Sequence, residues 1–210
     1  MGRALYVDDI EREGMWYGAT VRSTIPRGLI LSIGFDRRID WSEFTVVTAA
    51  DIPGQNHVHL IVADQPCLAD GKVNHCDEPV LLLAHPDKVK VREAVTAVHI
   101  EYEPLPPVFT IEQSEPGDLV VWGADNLLKS YLLEKGDVDS AWAGAAHIVE
   151  GEYRTGAQEH LYIENNGVIA EYSEETGIAV WGSLQCPFYV HKSLLAVFNL
   201  PEDKVRVIQT

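Results

Sequence analysis

A run of four residues, Pro104-Leu105-Pro106-Pro107, limits what this 210-residue chain can fold into more than any other stretch. Proline has no backbone N–H and a fixed φ, so the run fits neither a helix interior nor a central strand. The run therefore predicts the exit from a first domain at residues 1–110. A linker over 111–130, which contains Pro116-Gly117, then leads to a second domain at 131–210.

The first domain is predicted to mix strands with one helix. Between two of the predicted strands, apolar residues recur at Val91, Ala94, Val95 and Val98, which is helical spacing and predicts a helix over 88–98. Strands that alternate with a helix in about a hundred residues favour a compact α+β fold. The strands are predicted at 15–23, 29–33, 44–48, 79–84 and 98–102.

The second domain shows the same mixture. Asp137 is expected to cap a short helix that runs to Ala143, and one apolar face predicts another helix from Phe188 to Phe198. The longest apolar run of the chain, Val80–Ala84, is far shorter than the ~20 residues needed to cross a bilayer. Strands are predicted at 148–155, 168–172, 178–185 and 204–209.

Charge and cysteine content exclude several classes of partner and compartment. The chain has 16 Lys and Arg against 32 Asp and Glu, a formal net charge of −16, which argues against nucleic acid and anionic membranes. Three cysteines do not make a disulfide framework. The N-terminus lacks the apolar core of a signal peptide. We therefore expect a soluble, cytoplasmic protein with neither nucleic acid nor membrane as partner.

The histidines and cysteines do not follow a zinc-binding pattern. His57, His59, Cys67, His75 and Cys76 lie near one another in sequence, but no CxxC or HExxH spacing joins them. Surface and packing roles are therefore favoured over a zinc site.

No familiar catalytic or nucleotide-binding motif appears. Glu159 precedes His160, but adjacent strand residues point to opposite faces, so structural hydrogen bonding is favoured over an acid–base dyad. The chain has no G-x-S-x-G elbow, no P-loop and no G-x-G-x-x-G.

The segment Gly182–Phe188 is the strongest candidate for a binding loop. It is predicted to end a strand and, through Pro187, to begin a helix whose first N–H groups are free to face a ligand. Gln185 adds an amide that both donates and accepts hydrogen bonds. Spacing alone leaves a capped structural turn equally open.

Six motifs occur in the order found in one known family. They are Gly2–Ile10, Tyr17–Ser23 with Ile30–Ile33 behind it, Val46–Gly54, Glu101–Pro106 and Gln158–Glu164. On these motifs, nearly the whole chain resembles the molybdenum-binding subunit of the xanthine dehydrogenase and aldehyde oxidase family. The resemblance implies an α/β-hammerhead domain at 1–110, followed at 131–210 by the first part of a mixed α+β molybdopterin-binding domain.

The resemblance also implies a function. Such enzymes hydroxylate an aromatic heterocycle or an aldehyde with oxygen from water, using a molybdopterin–molybdenum cofactor. Iron–sulfur clusters and FAD are expected on partner domains or subunits of an oligomer. Gln185 matches the glutamine that approaches the oxo side of the metal in relatives, which makes it the one cofactor-binding residue predicted here. Gln158 and Phe188 are expected only near it.

The chain departs from the family pattern in two respects. The family's Gly-rich loop and base glutamate correspond to positions beyond Thr210, so we expect a fragment without a catalytic residue of its own, inactive in isolation. Many relatives also have Gly-Gln where this chain has Asp77-Glu78. The alternative function is a non-catalytic assembly module whose hammerhead surface docks an iron–sulfur or flavin partner.

Overall fold

The computed structural model describes residues 5–210 and shows the predicted mixture of strands and helices. The strands are β1 (Tyr17–Arg22), β2 (Gly28–Phe35), β3 (Thr45–Val47), β4 (Lys72–Val73), β5 (Pro79–His85), β6 (Val98–Pro104), β7 (Val168–Ser173), β8 (Gly177–Gly182) and β9 (Val205–Gln209). The helices are α1 (Lys88–Thr96), α2 (Ile111–Ser114), α3 (Val138–Ala143) and α4 (Pro187–Phe198). The α+β fold class is confirmed.

The strands form three small sheets of three strands each, ordered β1-β5-β3, β4-β2-β6 and β7-β8-β9. All pairs are antiparallel except β8 with β9. A parallel pair needs a long crossover, and α4 is part of the connection between β8 and β9. A loop of four residues, 183–186, separates the end of β8 from the start of α4.

The main core lies between β5 and α1. Leu81 and Leu83 of β5 are fully buried, and Ala94 of α1 packs with them. Asp87 caps α1, because its side chain accepts the backbone N–H groups of Val89 and Lys90. The continuous apolar run of β5 thus packs against a short amphipathic helix, as predicted.

Most predicted elements are confirmed, including both amphipathic helices, the cap at Asp137 and every strand of the first domain. Pro104 is the last residue of β6, but β6 is an edge strand, where proline is tolerated. The linker contains one short helix, α2. The strand predicted over 148–155 is wrong, because those residues are exposed and pair with no strand found within residues 5–210.

The chain folds into two compact units, residues 1–107 with 163–210 and residues 108–162. The first contains all nine strands assigned in the described chain. The second unit contains two short helices, α2 and α3, and no strand. Within residues 5–210, no helix combines the length and the apolar character that a membrane crossing requires.

Candidate functional site

The predicted binding loop, residues 183–186, connects β8 to α4 and has a firmly held base. The Ser183 N–H donates to the Gly167 carbonyl at 3.2 Å, and the Thr210 N–H donates to the Gly182 carbonyl at 3.0 Å. A Cβ at Gly182 would lie 2.8 Å from the Gly167 oxygen, so this close approach requires glycine. The loop therefore starts from a fixed point on the sheet.

The loop ends with an unusual backbone conformation at Cys186. This residue, the N-cap of α4, has φ 59° and ψ 61°, in the left-handed region that non-glycine residues rarely adopt. Its side chain makes no cap hydrogen bond, and Pro187 is the first residue of the helix. The start of α4 therefore has no side-chain cap at Cys186, and the Tyr189 N–H in its first turn donates to the Cys186 carbonyl at 3.0 Å.

Gln185 stands in this loop with its side chain exposed. Its amide forms no hydrogen bond with any residue in the described part of the chain. The sequence left open whether this residue caps a structural turn, and the geometry argues against a cap. Both amide donors and the amide oxygen remain available to a ligand.

The two residues expected near Gln185, Phe188 and Gln158, belong to different parts of the fold. Phe188, in the first turn of α4, is 81% exposed. Gln158 is also exposed but belongs to the 108–162 unit. In that unit, Glu159 accepts the backbone N–H of His160 at 3.0 Å, so the described contact involves no imidazole.

The histidines and cysteines considered as zinc ligands are not brought together. No group of three or more His, Cys, Asp or Glu side chains within residues 5–210 has the geometry to hold a metal ion. All three cysteines are free thiols, and burial raises the pKa of the Cys67 thiol. These residues therefore do not form a ligand set.

Glu164 has a role that the sequence did not reveal. Its Oε1 accepts the Val7 N–H and the Thr210 hydroxyl, both at 3.0 Å. The partners lie 157 and 46 residues away along the chain, so no local pattern could have indicated them. Glu164 thus connects Val7 with Thr210, the residue that follows β9.

Two family models match the chain. Residues 1–106, half of the chain, match the a/b hammerhead domain of aldehyde oxidase and xanthine dehydrogenase. The chain belongs to the aldehyde oxidase and xanthine dehydrogenase family. Residues 123–210 match the molybdopterin cofactor-binding domain, which confirms the predicted family and the kind of cofactor.

Curated relatives of this family member are substantially longer than the chain. It is 34% identical to the nicotinate dehydrogenase large molybdopterin subunit of Eubacterium barkeri, over all of this chain and 50% of that subunit. It is 31% identical to aldehyde oxidase 2 of Rattus norvegicus, over 97% of this chain and 15% of that protein. The chain therefore spans half or less of these relatives.

Solved structures show the same fold. The aldehyde oxidoreductase from Desulfovibrio desulfuricans ATCC 27774 superposes with a TM-score of 0.84 at 21% identity, over 99% of this chain and 25% of that one. Quinoline 2-oxidoreductase from Pseudomonas putida 86 superposes with a TM-score of 0.80 at 24% identity, over 99% and 28%.

The residues of the loop fit one kind of contact with a molybdopterin cofactor. A neutral amide and a helix N-terminus suit oxo and phosphate oxygens, because they donate hydrogen bonds and the helix dipole favours negative charge. An amide adds no charge and no redox chemistry of its own. The exposed amide of Gln185 is therefore chemically able to donate a hydrogen bond to such a group.

Proposed function

We propose that this chain is the N-terminal part of the molybdenum-binding subunit of a hydroxylase that oxidises an aromatic heterocycle or an aldehyde. The observation that carries the proposal is the order of the two family matches, hammerhead at 1–106 and molybdopterin-binding at 123–210. A relative matched over the whole of this chain is twice its length, which supports a longer subunit. Relatives named for nicotinate and for aldehyde support the substrate classes.

In this proposal the bound molybdopterin cofactor supplies the redox chemistry and the transfer of an oxygen derived from water. Gln185 would help to hold that group by donating an amide N–H to it. The start of α4 would add the positive end of the helix dipole, whereas Pro187 has no N–H and the Tyr189 N–H already donates to the Cys186 carbonyl. The base that activates the reaction lies outside this chain, which by itself is inactive.

The electrons leave through iron–sulfur clusters and FAD on partner domains or subunits, and the whole forms an oligomer in the cytoplasm. Three free thiols support a reducing compartment. The competing function, a docking module without a role at the cofactor, makes a different prediction for Gln185.

The test is Gln185→Ala in the full-length, molybdenum-loaded enzyme. Loss of one preorganised donor at a centre of developing charge should lower turnover per bound molybdenum by ~10²–10³-fold. Because the side chain makes no hydrogen bond within the described chain, unfolding stability should change by less than about 0.5 kcal/mol. Steady-state turnover normalised to metal content, together with a thermal melt, measures both.

Gln65→Ala provides the matched control, since Gln65 is another exposed glutamine whose side chain forms no described hydrogen bond. Its normalised turnover should equal that of the wild type. Equal turnover of Gln185→Ala and Gln65→Ala would overturn the role of Gln185 and favour the docking module.

A further inference from the structure

The C-terminal end of α4 is capped by a loop from the hammerhead segment. The Gly54 N–H donates to the Val197 carbonyl and the Gln55 N–H to the Ala196 carbonyl, each at 2.9 Å. Carbonyls in the last turn of a helix have no intrahelical partner, so they need donors of this kind from elsewhere. Residues 54–55 therefore close α4 from a part of the chain that is remote in sequence.

This approach is so close that only glycine permits it. A Cβ at Gly54 would lie 2.0 Å from the Ala196 oxygen and 2.8 Å from the Val197 oxygen, distances that real contacts do not reach. Both obstructing atoms belong to the helix backbone and cannot rotate away. Any larger residue must therefore push the loop off the helix and break both hydrogen bonds.

A third contact from the same loop region reaches the middle of α4. The His59 N–H donates to the Ser193 hydroxyl at 2.9 Å, and that hydroxyl donates to the Tyr189 carbonyl. None of the 12 residues of α4 is fully buried. These polar contacts therefore contribute to the orientation of α4, together with the His191 ring, whose Nε2 lies 3.1 Å from the Val205 carbonyl oxygen of β9.

We infer that the loop Pro53–Gln55 is a positioning element for the opposite end of α4, and that Gly54 is its central positioning residue. Gln185 immediately precedes the N-cap of this helix, about 16 Å along the axis from the capped carbonyls at 1.5 Å per residue. Because a helix behaves as a rigid rod over this length, the contacts at its C-terminus help to set where its N-cap and the adjacent Gln185 stand, together with the anchored β8 end of the loop. The part of the inference that concerns Gln185 rests on the proposed function.

The coupling is tested first in the 210-residue chain, by amide hydrogen exchange of Gly54→Ala. Loss of the two hydrogen bonds should raise exchange in the last turns of α4 roughly tenfold or more, while the amides of β5 keep their wild-type rates. Gly34→Ala is the matched control, because a Cβ there would meet only the His99 carbonyl, at an ordinary 3.6 Å. Unchanged exchange in α4 of a folded Gly54→Ala chain would overturn the inference.

The wild-type chain supplies a measurement that does not depend on the variant's folding. The Gly54 and Gln55 amides should be protected as strongly as the amides of α4 itself. Exchange of these two amides at the rate of an unstructured peptide would also overturn the inference.

The effect on Gln185 is tested by a double-mutant cycle in the full-length, molybdenum-loaded enzyme. Gly54→Ala should lower normalised turnover by about tenfold or more in the wild-type background and leave it unchanged in the Gln185→Ala background, because both changes remove one contact. Additive losses would overturn positioning through Gln185. Molybdenum retained after dialysis, measured on the same samples, is expected to follow the same non-additive pattern.

The two hypotheses fail differently. If Gln185→Ala alone has no effect, the proposed role of Gln185 fails while the exchange experiment still decides whether Gly54 holds α4. If Gly54→Ala leaves amide exchange in α4 unchanged, the positioning role of Gly54 fails while the proposed role of Gln185 is untouched.

Discussion

Asp77 and Glu78 stand where the family resemblance led us to expect glycine and glutamine, and the backbone at Asp77 has a conformation that favours glycine. Asp77 has φ +61°, in the left-handed region that glycine enters without penalty. Glu78 is 2% exposed, and one of its carboxylate oxygens accepts the Asn74 N–H. The chain therefore carries a strained residue and a buried acid side by side before β5.

Asp77→Gly should stabilise the chain by about 0.5 kcal/mol, because relief of the positive φ outweighs the larger backbone entropy of glycine in the unfolded state. The contact from the Arg22 guanidinium should survive, since it goes to the Asp77 carbonyl. Asp77→Ala is the control and should be less stable than the wild type by about 1 kcal/mol, because alanine tolerates positive φ less well than aspartate. Denaturant midpoints measure both. A destabilised Asp77→Gly would contradict the argument.

For single residues, the sequence predicted the place in the fold better than the backbone conformation or the hydrogen-bond partners. Gln185 was placed correctly between a strand and a helix, because Pro187 and the apolar spacing are local signals. The left-handed φ of Cys186 and the distant partners of Glu164 depend on tertiary contacts, which no local pattern encodes. The role of Gln185 toward the cofactor stays a prediction.

Elements with a strong local signal were predicted well, whereas the strand expected over 148–155 is not found and the two-residue strand β4 was not predicted. The helices α1 and α4 follow from apolar spacing and from terminal residues such as Asp87 and Pro187. The segment 148–155 has the composition of a strand, yet it is exposed and unpaired in the described chain. A strand forms only when a neighbour accepts its hydrogen bonds, and composition does not supply that neighbour.

The cap of α1 should make the stability of the chain depend on pH in acid. The backbone N–H groups of Val89 and Lys90 hold the pKa of Asp87 below its ordinary value of 3.8. Because the folded pKa is the lower one, this contribution is present above about pH 4 and is lost as the pH falls through the folded pKa. Asp87→Asn keeps the accepting oxygen but does not ionise, so its stability should fall less steeply below about pH 4 than that of the wild type.

Urea unfolding of both chains between about pH 3 and pH 7 measures the difference. All other carboxylates are present in both chains, so their contributions to the pH dependence of the unfolding free energy cancel. Parallel curves over the whole range would show that Asp87 contributes no pH dependence. Asp87→Ala, which removes the acceptor altogether, should be the least stable of the three at about pH 7.

At the scale of the molecule, the chain path is less simple than the predicted order of domain, linker and domain. One compact unit combines residues 1–107 with 163–210, and Gly54 and Glu164 make long-range contacts inside it. The proline-rich sequence does not indicate that residues 163–210 belong to the same compact unit as residues 1–107. The predicted boundaries near 110 and 131 stay a prediction.

Limited proteolysis tests this arrangement directly. Trypsin should cut first at Lys129, Lys135 and Arg154, since these exposed residues lie in a unit with only two short helices and no strand. The large N-terminal and C-terminal fragments should then remain together in native gel filtration and separate only in denaturant. They are joined by the Gly54–Val197 and Val7–Glu164 hydrogen bonds and by the packing of one unit, none of which a cut in 108–162 removes.

In a Gly54→Ala chain the same fragments should separate at a lower urea concentration, whereas Gly34→Ala should match the wild type. Fragments that separate without denaturant, or a first cut at Lys88 or Lys90 within α1, would contradict the division into these two units.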